Sequence, residues 1–204
     1  ISERDGKLFT LVKTPCAGST DESCVAYEAQ AYNLAKGLKA WGMHLGSCVG
    51  TTENCSDGVV DLTYLSSSRQ IGVISGNTFY QLSSNTGTVT YKYDPQAQAQ
   101  VDSGDSGIRL SKVNHPSNNN SNNNIIALGC KSKSDTTSCG KAAIISKEKD
   151  TDTDAANKAV AATVEYFTIP TIGLLPKDLT LADDTIIGTK ENGIFYTSLS
   201  IGKV

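Results

Sequence analysis

The chain has 204 residues, of which 38% are hydrophobic and 19% charged, and its net charge is -3. These proportions describe a globular protein with material for one large or two small domains, and they exclude a charge-driven disordered tail. Lysines and acids are interspersed, so the basic stripe that a nucleic-acid partner requires is absent, and no apolar run approaches the roughly 20 residues of a membrane-spanning helix.

The chain starts at Ile1 with neither methionine nor an apolar leader, which reads as a mature form whose targeting segment has been removed. The first segment, "RDGKLFTLVKTPC", carries Leu8, Phe9, Leu11 and Val12 and is expected to form a short strand stopped by Pro15. A helix is expected next. Ser19 and Glu22 have capping-box spacing. Cys24, Tyr27, Ala31, Leu34, Leu38, Trp41 and Leu45 then recur at steps of three and four along one stripe, with Glu28, Asn33, Lys36 and Lys39 outside it. Gly42 and Gly46 end this helix, and the stripe is expected to pack as core against a sheet.

Downstream the period becomes two. "GVVDLTYL", "QIGVIS", "NTFYQLSS" and "GTVTYKYD" read as strands of an antiparallel meander, with "SGN" and "SNTG" as turns. "DPQAQAQVDSGDSG" reads as a linker and "NHPSNNNSNNN" as a low-complexity surface loop. From Ile125 the signals are almost all of strand type: "NIIALGC", "KAAIIS", "AVAATVEYFTI", "DTIIGTK" and "GIFYTSLSIG". The alanines of "AANKAVAATVEYF" favour a helical start, and Asn192-Gly193 suits a hairpin turn. The expected fold class is therefore α+β. Residues 1–105 form a cysteine-bearing unit with one helix on an antiparallel sheet, and residues 106–204 form a β-sandwich.

Six cysteines, Cys16, Cys24, Cys48, Cys55, Cys130 and Cys139, fall into three close pairs around polar loops. The tight spacings of zinc sites and the C-x-x-C of redox enzymes are missing, so disulfides and a secreted, extracellular setting are expected. A local pair would close a loop of about eight residues and stabilise by roughly 2.5 kcal/mol. Cys130–Cys139 is the most separable pair; the other four cysteines permit more than one connectivity. Asn54 and Asn119 stand in glycosylation triplets.

The residues favour binding over catalysis. His44 lies beside the expected helical stripe and His115 in the asparagine-rich loop, poor platforms for a general base. Asp150, Asp152 and Asp154 have the spacing of a calcium loop, but Ala155 and Ala161 replace its glycine and glutamate. Asp183 and Asp184 are adjacent and would point to opposite faces of a strand. Serine elbows and phosphate-cradling glycines are missing, and no metal or cofactor is implied. Tyr91 and Tyr93 alternate along one strand, with Tyr64 and Tyr80 in its neighbours, and are the candidates for stacking on a sugar or anchoring a protein.

With a cysteine-bearing first unit (Cys16, Cys24, Cys48, Cys55) of one helix on a small sheet and a mostly β second unit, the chain resembles the secreted dual-domain effectors of plant-infecting Fusarium. The resemblance implies a monomeric, non-enzymatic virulence protein that binds a host protein or glycan and is detected by a plant immune receptor. The alternatives are a microbial adhesin or lectin-like carbohydrate-binding protein, and a secreted hydrolase inhibitor.

Overall fold

The computed structural model describes residues 2–15, 25–48, 59–65, 69–95, 108–113, 125–132, 139–147, 162–168, 180–182, 185–190 and 193–198. Every element among them is a β-strand, and all the sheets are antiparallel. The chain divides into two compact units, residues 1–92 and 93–204.

The first unit holds two four-stranded sheets. Strands β1 (Ser2–Arg4), β2 (Lys7–Pro15), β3 (Val25–Asn33) and β4 (Leu38–Cys48) follow one another across the first. Strands β5 (Val59–Leu65), β6 (Gln70–Gly76), β7 (Thr78–Ser83) and β8 (Val89–Tyr93) do the same in the second, on the segments whose alternation predicts a meander.

The expected helix is absent, and the α+β assignment is corrected to all-β among the described residues. Val25–Asn33 and Leu38–Cys48 are the two arms of a hairpin. Its turn is set by Asn33, whose carbonyl accepts the Gly37 N–H at 2.9 Å and whose side-chain Oδ1 accepts the Lys36 N–H at 3.0 Å. Gly37 takes a left-handed conformation (φ 64) at no steric cost. The helical stripe misleads for a geometric reason. A step of four, such as Tyr27 to Ala31 or Trp41 to Leu45, keeps two residues on one face of a helix and equally on one face of a strand. The steps of three are absorbed elsewhere: Ala31 to Leu34 runs into the turn, and Leu38 to Trp41 crosses a register shift at Ala40. Leu34 and Leu38, core positions in a helix, are exposed here.

Period two organises the hairpin. Tyr27, Ala29 and Ala31 point inward beside Trp41, Met43 and Leu45, while Gly42, His44 and Gly46 are exposed. The inward face packs on the second sheet. Phe9, Tyr27, Ala29, Ala31 and Leu45 meet Tyr64, Ile71, Val73 and Leu82 in one core. Small alanines on β3 leave room for the rings: Phe9 and Tyr64 stack with centroids 6.0 Å apart, and Trp41 lies 6.1 Å from Phe9. Polar groups tie the two sheets at the rim of that core. The Tyr80 hydroxyl donates to the Leu45 carbonyl at 2.9 Å, the Trp41 indole to the Ser84 carbonyl at 3.0 Å, and the Tyr64 hydroxyl to Asp5 at 2.7 Å.

In the second unit β9 (Ile108–Lys112), β10 (Ile125–Ser132), β11 (Cys139–Lys147) and β12 (Ala162–Thr168) form a third four-stranded sheet in sequence order. Strands β13 (Thr180–Ala182), β14 (Thr185–Lys190) and β15 (Gly193–Ser198) make a three-stranded one. Lys190 pairs with Gly193, so Gly193 is the first strand residue rather than part of the turn. Both sheets run up and down between sequence neighbours. Three successive four-stranded sheets thus share one strand order.

Candidate functional site

Strands β2, β3 and β4 bury one face against the second sheet, and the opposite face carries a hydrogen-bonded polar row. Register fixes the layout. Leu8, Tyr32 and Lys39 stand in one rank, Thr10, Gln30 and Gly42 in the next, and Val12, Glu28 and His44 in a third. These are the residues alternate to the buried Phe9, Ala29 and Ala31, so the same pleat that builds the core lines them up outside it.

The polar groups are linked in sequence. The Tyr32 hydroxyl donates to Gln30 Oε1 at 2.7 Å, and Gln30 Nε2 donates to Glu28 Oε2 at 2.8 Å. Lys39 Nζ then pairs with Glu28 Oε1 at 2.6 Å. Gln30 is buried under this row although it faces away from the core. Hydrogen bonds from Lys39 first, and from Gln30 second, hold the Glu28 carboxyl below its ordinary range, so it stays ionised. Gly42 makes the arrangement possible: a Cβ there would collide with Glu28 Oε1 and would lie 2.6 Å from Lys39 Nζ. Beside Gln30, the buried Oγ1 of Thr10 has no hydrogen-bond partner among the described residues.

Glu28 accepts a hydrogen bond from an ammonium and one from an amide, which lowers its basicity. Among the described residues, no group of three or more His, Cys, Asp or Glu is placed to hold a metal ion. No helix among them is long and apolar enough to cross a membrane.

The residues expected to form a site lie elsewhere. Tyr93 is 3% exposed, which leaves no ring face there for a partner. Tyr91 is half-buried against Phe79, with ring centroids 6.4 Å apart, and burial pushes its hydroxyl up to about 12. Tyr64 belongs to the core, and Tyr80 is half-buried with its hydroxyl turned to Leu45. The tyrosine in the polar row is Tyr32, itself half-buried. The pattern that could have found it is Glu28, Gln30, Tyr32, polar at alternate positions beside Tyr27, Ala29 and Ala31. His44 stands across from Glu28 on β4 rather than beside a helix.

Cys16, Cys24, Cys55, Asn54, Asn119, His115, Asp150, Asp152, Asp154, Asp183 and Asp184 lie outside the described residues. For three cysteines the backbone alone is described. Cys48 ends β4 opposite Val25, Cys130 stands opposite Ala142, and Cys139 opposite Ser132. Cys130 and Cys139 therefore occupy different rungs of one hairpin.

No family model matches this chain, and no curated protein does. Among solved structures it is similar to BamB from Moraxella catarrhalis, at 13% sequence identity and a TM-score of 0.41, over 91% of this chain and 46% of that one. The chain thus spans about half the length of BamB, and a likeness at that score settles neither fold nor function.

Proposed function

We propose that the chain is an extracellular, non-enzymatic binding protein whose working surface is the outward face of β2, β3 and β4. The observation that carries this reading is the continuous row Tyr32–Gln30–Glu28–Lys39 laid over Gly42. A row of planar polar groups held in fixed rotamers loses little conformational entropy when a ligand arrives, which is what pre-organisation for binding requires. The extracellular setting is supported by six cysteines in three close pairs. The effector resemblance stood in part on a helix lying on a sheet. With that helix corrected to a hairpin, the adhesin or lectin-like reading is the better supported of the two, and a host surface is one place where such a protein would act.

The test is binding of the labelled protein to intact microbial and plant cell surfaces. Saturable binding, competed by unlabelled wild-type protein but not by a Gly42→Val variant, is expected. Binding that is absent, or that both competitors displace equally, would overturn the reading.

A further inference from the structure

We infer that β15 pairs antiparallel with β15 of a second copy of this chain, about a two-fold axis at Phe195, joining two three-stranded sheets into one. The sheet edges carry the first argument. An outer strand presents unpaired N–H and C=O groups, and proteins keep foreign strands off it with charge, shortness or a bulge. The sheets have eight outer strands among the described residues. Six of them carry a charged residue: Arg4 on β1, Lys39 on β4, Asp61 on β5, Lys92 on β8, Arg109 on β9 and Glu165 on β12. A seventh, β13, is only three residues long. The eighth, β15, runs for six residues, "GIFYTS", with no charge, no proline and an unbroken register against β14. It is the one described edge without any of these protections.

Its side chains agree. Ile194 and Tyr196 alternate onto one face and are 72% and 76% exposed, the two most exposed large hydrophobic residues among those described. Half-buried Ile187 stands opposite Tyr196 on β14, so this apolar face continues from the sheet out to its edge.

The strand is also complementary to itself. Lys190 and Gly193 are the pair that closes the β14–β15 hairpin. A pair closing so short a loop is hydrogen-bonded, and the bonding alternates along an antiparallel ladder. Gly193, Phe195 and Thr197 therefore bond to β14, while Ile194 and Tyr196 turn their backbone groups to the outer edge. A copy centred on Phe195 sets Ile194 opposite the partner's Tyr196, and Tyr196 opposite the partner's Ile194. Those two rungs are of the hydrogen-bonded kind, so the outward groups of both chains are satisfied. Each rung is also an aromatic–β-branched pair, and no like charges meet across the axis. An unrelated strand would have to bring the same pattern; a second copy has it by identity.

Sedimentation equilibrium of the full oxidised chain over a wide range of concentration tests this pairing. The mass is expected to rise from one chain to two and to stop there. I194K/Y196K sets lysine opposite lysine on both rungs and should weaken association about tenfold or more. Both side chains are exposed, so its melting temperature in dilute solution should match the wild type. I194E/Y196K sets opposite charges on the same rungs and should recover association. Hydrogen exchange on the wild-type chain needs no variant: the Ile194 and Tyr196 amides should gain protection as concentration rises. A single chain at every concentration, assemblies larger than two, or association that I194K/Y196K leaves intact would each overturn the inference. So would failure of I194E/Y196K to recover association, or amide protection at Ile194 and Tyr196 that does not change with concentration.

Discussion

The indole of Trp41 occupies the space that a side chain at Gly87 would need. A Cβ at Gly87 would stand 2.5 Å from Trp41 Cε3, and Gly87 holds a left-handed φ of 72 in the turn between β7 and β8. The indole N–H donates to the Ser84 carbonyl of the same turn, and Lys7 reaches Asn85 at 2.7 Å. One turn of the second sheet is thus gripped by two side chains of the first.

Gly87→Ala should therefore destabilise the first unit by about 2–3 kcal/mol, combining backbone strain with displacement of the indole. Urea unfolding measures the loss. Trp41 is the only tryptophan of the chain, so its emission should also shift in the folded variant, reporting the altered packing directly.

Glu28 should make part of the stability depend on acid. Its carboxyl titrates below the ordinary value of 4.5 in the folded chain, because Lys39 and Gln30 bond to the charged form. The contribution is complete above that value and is lost as pH falls through the lower folded range. The pair is partly solvated, so the expected size is at most about 1 kcal/mol. Glu28→Gln should flatten the stability curve below pH 4.5 and leave the variant slightly weaker at neutrality, as denaturant midpoints across the acid range would record.

Tyr91 acts at the other end of the scale. Burial favours its neutral phenol and raises the folded value from 10.0 to about 12. Stability from the buried neutral ring is whole below pH 10.0 and disappears as pH rises toward 12. Alkaline titration followed by phenolate absorbance should show this tyrosine ionising late or together with unfolding. Tyr91→Phe should remove that late step and reduce the alkaline loss of stability.

All six cysteines are expected to be oxidised. Alkylation of the denatured, unreduced protein followed by intact-mass measurement should add no label, and full label after reduction. Two or more labelled cysteines before reduction would remove the extracellular reading's main support.

Much of the β structure was legible because Val, Ile, Tyr and Thr alternate with polar residues in segments such as "QIGVIS" and "GTVTYKYD". The stretch from Tyr27 to Leu45 was not, for the opposite reason. Its inward positions include alanine, a strong helix former, and its steps of four suit either structure. Tertiary packing decides the matter: Ala29 and Ala31 are small because Phe9 and Tyr64 lie above them. That misreading also hid the polar face, since Glu28 and Lys39 read as the solvated side of a helix rather than as members of adjacent ranks. Spacing alone points to Tyr91 and Tyr93, and spacing cannot tell a ring packed on Phe79 from one presented to a ligand.

The shared core of the first two sheets has a consequence for how the chain folds. Each sheet is assembled from one continuous stretch, so its hairpins close over short loops and can form early. Yet the face carrying Phe9, Ala29, Ala31 and Leu45 packs on Tyr64, Ile71, Val73 and Leu82 of β5, β6 and β7. A chain that has emerged no further than Cys48 owns a sheet whose apolar side still lacks the second sheet. The strands that cover that side are complete once β7 has followed, at Ser83. During synthesis the interval between those two points is when the first sheet is most vulnerable to the wrong neighbour.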